Sequence, residues 1–209
     1  MLSVLRLGLV GAILTALSPS PVAAQSETGP RIGGFVSGAF GDGGPAPAIG
    51  ISAGYAVTPS VEIEVNAAYV PGLDFGNVPV CPPGLFCVAA TIRGGTYSVA
   101  GRARSASAAV VIDLPVRLAA MRPYFAGGVG LANLRRELRD TEFPFTLTRT
   151  STDPLITVGG GLEMPLGRRL ILSVDVRYEY IAADTQFDRA DIDRGVNLTR
   201  IGSGLRYRF

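Results

Sequence analysis

The chain has 209 residues, 47% of them hydrophobic and 17% charged, with a formal net charge of +2 and no histidine. That length suits a single domain or one barrel. The near-zero charge gives no footing for nucleic-acid binding, and the missing histidine removes the commonest activator of a serine or of water.

The first segment bears on compartment. Met1–Arg6 carries one basic side chain and no acid, and an apolar run, Leu7–Leu17, follows. The run is about half the roughly 20 residues a spanning helix needs. Ser18-Pro19-Ser20-Pro21 then breaks any helix, and Val22-Ala23-Ala24 precedes Gln25 with the compact residues a signal peptidase accepts. The expectation is a cleaved signal peptide over 1–24 and a mature domain over 25–209.

Beyond Gln25 the chain alternates apolar and polar residues in segments of about ten, separated by turn formers. Segment 31–40 comes first, and its letters leave the register open. Segment 47–57 sets Ile49, Ile51, Ala53, Tyr55 and Val57 against Ala48, Gly50, Ser52, Gly54 and Ala56. Segment 61–69 sets Val61, Ile63, Val65, Ala67 and Tyr69 against Glu62, Glu64 and Asn66. Segments 104–113, 122–134 and 154–164 are weaker. From Arg169 to Tyr180, Leu170, Leu172, Val174, Val176, Tyr178 and Tyr180 oppose Ser173, Asp175, Arg177 and Glu179. The last segment, 197–209, carries Ile201, Leu205, Tyr207 and Phe209 on one face and Arg200, Arg206 and Arg208 on the other.

The connections alternate as well. Those near 57–61, 114–122 and 164–168 are short and contain proline, whereas 70–104, 135–153 and 181–195 are long. The join at 41–46 is a Gly-Pro tip. Short turns on one side and long loops on the other describe an all-β, eight-stranded antiparallel up-and-down transmembrane β-barrel in a Gram-negative outer membrane.

In such a barrel a charge on the lipid face is expensive, so Glu62, Glu64, Asp175, Arg177, Glu179, Arg200, Arg206 and Arg208 are predicted to form a lumenal charge network. Eight strands enclose a space that side chains can fill, which predicts a plugged interior. Tyr69, Tyr178 and Tyr180 at one end, with Phe125, Tyr207 and Phe209 at the other, suit two interfacial girdles.

The final strand, Gly204-Leu205-Arg206-Tyr207-Arg208-Phe209, resembles the C-terminal insertion signature of bacterial outer-membrane barrels. Arg122-Pro123-Tyr124-Phe125-Ala126-Gly127-Gly128-Val129-Gly130 resembles the fifth strand of the small OmpX/opacity-type barrels, and Val111-Ile112-Asp113-Leu114-Pro115 the end of their preceding strand. The resemblance spans about residues 30–209. It implies insertion through the barrel-assembly machinery, with Tyr207 and Phe209 as the signal. The family holds adhesins and opacity proteins, so no single role follows. The Cys81–Cys87 loop departs from it.

Other features are read by their chemistry. Cys81 and Cys87, in an exported chain, are expected to form a local disulfide in a loop at 71–103 placed for recognition. Asp184, Asp188, Asp191 and Asp193 offer oxygen ligands, but Arg189 and Arg194 among them point to a solvated loop without metal. Gly127-Gly128-Val129-Gly130 and Gly159-Gly160-Gly161 lie in strand-period segments, with no helix to complete a phosphate loop. Asn197-Leu198-Thr199 matches a glycosylation pattern inside a membrane strand and is discounted.

Arg135, Arg136, Arg139 and Arg149 gather at the outer end of the fifth strand and beyond it, where they are candidates for lipopolysaccharide phosphates. The functional expectation is a non-enzymatic outer-membrane protein without cofactor, its surface loops contacting lipid or a partner. A small passive channel is the first alternative. A soluble periplasmic ligand-binding barrel is the second, and it requires the reverse polarity, apolar inside and polar outside.

Overall fold

The computed structural model describes residues 28–41, 43–79, 96–116, 118–139, 146–183, 186–187, 190–191 and 195–209. The expected signal segment, the Cys81–Cys87 disulfide and all of the acidic stretch but Asp191 lie outside them. Eight long strands close a barrel: β1 (Gly29–Gly41), β2 (Gly44–Thr58), β3 (Val61–Pro79), β4 (Thr96–Asp113), β5 (Arg122–Arg139), β6 (Thr146–Leu166), β7 (Leu170–Ile181) and β10 (Val196–Arg208). Two short strands, β8 (Gln186–Phe187) and β9 (Ala190–Asp191), form a separate ladder in the β7–β10 connection. Each long strand pairs antiparallel with its chain neighbour, and β1 closes on β10 from Arg31↔Arg208 to Phe40↔Thr199. Closure leaves no unpaired edge around the spanning part of the wall, the condition for a sheet in lipid.

Alternation sorts the side chains. Val176 is 48% exposed on the outer face, and its neighbour Arg177 is 5% exposed inside. Ile51, Ile63, Val129, Ile156 and Leu205 continue the outer apolar surface, while Ser52, Glu64, Ser173 and Arg206 are buried. A soluble ligand-binding barrel requires the reverse, apolar inside and polar outside. The register of β1 is settled here too: Arg31 faces in and Ile32 out.

The turns at one end are tight. Pro59 and Ser60 join β2 to β3, with the Ser60 amide donating to Thr58 Oγ1 at 3.2 Å. Gly167, at φ 80°, turns the chain from β6 to β7 in a conformation other residues adopt at a cost. Between β4 and β5, Leu118 and Met121 form a single bridge.

At the other end the wall is taller than its pattern of alternation suggests. The connections expected over 70–104 and 135–153 are in large part strand, since β3 runs on to Pro79, β4 starts at Thr96, β5 ends at Arg139 and β6 starts at Thr146. These four strands are neighbours, so they raise one side of the barrel into a sheet. Pairing of β2 with β3 stops at Ile49↔Tyr69, and of β6 with β7 at Leu155↔Ile181. The β3–β4 ladder shifts register between Val70 and Leu73 and again between Asp74 and Asn77, which bends the raised part.

Candidate functional site

The barrel interior is the first place to look for chemistry. Glu64, almost fully buried, accepts from Arg177 Nη2 at 2.8 Å and from Asn66 Nδ2 at 2.7 Å, and its second oxygen lies 3.0 Å from Arg206 Nη2. Arg206 also lies 3.1 Å from Glu163 and 3.4 Å from Glu62. Arg31 bonds Glu62 at 2.7 Å and sits 3.8 Å from Glu163. Asp175 holds Arg177 Nε at 3.0 Å and accepts a long bond from Tyr124 Oη at 3.4 Å.

Four carboxylates and three guanidiniums thus interlock across β1, β3, β6, β7 and β10. Pairing at this density is what makes buried charge tolerable, because each ion replaces lost water with opposite charge and hydrogen bonds. The cavity left among Ser52, Glu64, Asn66, Ser173, Asp175 and Arg206 is about 10 Å³, at the lower limit for one water.

Arg200 and Glu179 make a second, buried pair one step nearer the loop end. Arg200 also lies over the Phe35 ring, 5.2 Å from its centroid. Arg208 is half-buried at the turn-end mouth, next to Arg31 in register.

Above Arg200 the interior changes character. Ala39, Ala48, Leu134, Leu155, Ile181 and Leu198 belong to a cluster drawn from all eight wall strands, with no member more than 4% exposed. Alanines from β1, β2 and β4 face leucines and isoleucine from β5, β6, β7 and β10, so small and large side chains interdigitate. The expected ion-paired filling is therefore only the lower storey. An apolar storey seals the interior above it.

The description of the matching family model is "outer membrane protein beta-barrel domain", and the match covers residues 10–209. The chain belongs to that family. No curated protein matches it by sequence. Among solved structures, a major outer membrane protein from Thermus thermophilus superposes with TM-score 0.58 at 16% identity, covering 86% of this chain and 99% of that one. Neisserial surface protein A gives TM-score 0.50 at 16% identity, covering 90% and 100%. Ail of Yersinia pestis, in complex with the heparin analogue sucrose octasulfate, gives 0.45 at 16%, covering 86% and 97%. The protein is a small eight-stranded outer-membrane barrel.

In an outer-membrane barrel the tight turns face the periplasm and the raised sheet faces out. That orientation places three of the four candidate lipid-contact arginines. Arg135 points outward from β5, its side chain 41% exposed and its Nε 3.4 Å from Glu137. Arg136 is 6% exposed and faces the interior. Arg149 lies in β6 rather than in a loop, opposite Arg136 in register and on the same inner side as Asp153. Lipid does not reach that side of the wall, so Arg136 and Arg149 are withdrawn as lipid contacts. The side chain of Arg139 lies outside the described residues.

The aromatics sit at both rims of the outer-membrane barrel. Tyr178 Oη donates to Asn197 Oδ1 at 2.6 Å, and Tyr69 lies opposite Arg104. At the turn end Arg169 donates to Tyr207 Oη at 2.7 Å, and Tyr207 meets Phe209 edge-on at 5.1 Å. Phe209 is 72% exposed on the outer face.

Three members of the lumenal network are not evident from sequence. Arg31 lies in the strand of open register, and Tyr124 stands out only within the family motif. Glu163 sits just past Gly159-Gly160-Gly161, which interrupt the alternation. Counting back by twos to Asp153, Thr157 and Gly161 would have set Glu163 inward.

Proposed function

We propose that the protein is a non-enzymatic surface barrel: a plugged outer-membrane anchor that holds the raised β3–β6 sheet and its connections outside the cell, to contact lipopolysaccharide or a surface partner. The filled interior carries this reading. A hydrated ion moving along the axis would have to break the Glu64–Arg177–Arg206 network and then cross a dry apolar layer, and either obstacle is enough to block steady flow. What is left for function is the outer surface and the tips. Insertion would run through the barrel-assembly machinery, with Tyr207 and Phe209 as the terminal signal.

Purified protein in planar bilayers should show no steady conductance, and neither should a variant whose β3–β4 hairpin is shortened to Val70 and Ala103 with a two-residue turn. The shortened variant should still migrate as a folded, heat-modifiable barrel. A steady current from the intact protein, altered by Glu64→Gln, would make it the channel this reading rejects.

A further inference from the structure

Along the outside of β4, β5 and β6 the apolar surface ends abruptly. Ala106, Leu131 and Pro154 stand side by side in register, all exposed. One outward position further on, Arg104, Asn133 and Thr152 stand side by side, and one beyond that, Arg102, Arg135 and Thr150. Lipid-facing residues thus give way to three arginines within two steps of the pleat.

The side chains leave a shallow pocket of about 110 Å³ lined by Arg102, Arg104, Asn133, Arg135 and Thr150. That is several times the roughly 30 Å³ share of one liquid water. Its walls are braced. Asn133 Nδ2 donates to Thr152 Oγ1 at 2.9 Å and to the Ser151 carbonyl at 3.2 Å. The Arg104 guanidinium lies 5.7 Å from the centroid of Tyr69, an aromatic at the same rim.

Among the described residues the charge is unbalanced. Glu137 lies beside Arg135, but no acid among the described residues is within ion-pair distance of Arg102 or Arg104. Inside this barrel nearly the opposite holds, with each guanidinium of the network set against one or more carboxylates. A single arginine costs little at this depth, but three gathered at the border of the apolar band make a positive patch that an anion neutralises. Soluble anions are free to leave, whereas a membrane-anchored one at this depth is present at high local concentration.

We propose that Arg102, Arg104 and Arg135 form a binding site for the phosphate of a phosphorylated outer-leaflet glycolipid. The fork geometry of guanidinium suits a phosphomonoester, and Thr150 supplies a neutral donor. The acyl chains of the same lipid would lie along Ala106, Leu131 and Pro154. The inference rests on the outer-membrane placement of the barrel and is independent of whether the interior is sealed.

The test uses whole purified barrel in detergent. Binding of bisphosphorylated lipid A is measured for the native protein and for Arg102→Gln/Arg104→Gln, with folding of each checked by heat-modifiability. Both substitutions are on an exposed face, and Arg104→Lys is a second variant that keeps charge and loses the fork. The double variant should bind at least tenfold more weakly, and Arg104→Lys should fall between it and the native protein. Native protein should also prefer bisphosphorylated over dephosphorylated lipid A, and millimolar inorganic phosphate should displace little of the bound lipid. Equal affinity for the dephosphorylated lipid, or an unchanged double variant, would overturn the site. Full displacement by inorganic phosphate would overturn the lipid as its occupant. A conducting pore would sink the sealed-barrel reading alone and leave this result standing.

Discussion

Replacing Glu64 with alanine is expected to destabilise the folded barrel by about 3–5 kcal/mol, the range for removing one member of a buried ion pair. Glu64 is 1% exposed and is the only carboxylate, among the described residues, in ion-pair contact with both Arg177 and Arg206. Without it, Arg177 keeps Asp175, and Arg206 keeps Glu62 and Glu163 at 3.4 and 3.1 Å. Both guanidiniums would still lose their central partner in a space too small to admit water freely. Glu64→Gln retains the shape and one acceptor and should cost less than alanine. Equilibrium unfolding in urea from lipid vesicles gives the free energies, and the boiling step needed to shift the band on a detergent gel gives the same order. An alanine variant as stable as the native protein would mean that water reaches these arginines and that the interior is not plugged.

The strands that face lipid on one side and charge on the other were legible from their letters alone. β7 and β10 show this best, because Val174 and Val176 alternate with Asp175 and Arg177, and Leu205 with Arg206. The contrast disappears once the wall leaves the membrane. Thr148, Thr150 and Thr152 of β6 are polar on the outer face, and Arg149, Ser151 and Asp153 are polar on the inside, so the segment has the composition of a loop while its backbone pairs as a strand. The same loss of contrast hid Arg102, which looks like a loop charge until its pairing with Arg135 is known.

The apolar storey was hidden for the opposite reason. Leu155 faces in and Ile156 faces out, and no alternation distinguishes two apolar neighbours. The lumenal acids were recognisable because an ion on a lipid-facing strand has only one affordable direction. Arginines at the rim have two, which is why Arg135 and Arg136, adjacent in sequence, needed coordinates to be separated.

Substituting Val176 with arginine is expected to cost about 2–4 kcal/mol of folding free energy into a bilayer, the penalty for an arginine on the lipid face near the midplane. The position is informative because it lies between two charges that are tolerated. Asp175 and Arg177 flank Val176 in sequence and turn into the lumen, where they meet each other and Glu64. Val176 turns out, between Ile201 of β10 and Gly160 of β6, where nothing polar answers a new guanidinium. The same substitution at Thr152, one step beyond the apolar border, should cost roughly 0–1 kcal/mol, since the penalty falls with distance from the midplane. Folding equilibria of both variants in vesicles of one lipid composition measure the difference directly. In a water-soluble barrel the order would vanish, because an exposed valine is exchanged for arginine in water at almost no cost. Equal stabilities for the two variants would therefore remove the physical basis for placing this surface in lipid, whatever the shape of the barrel.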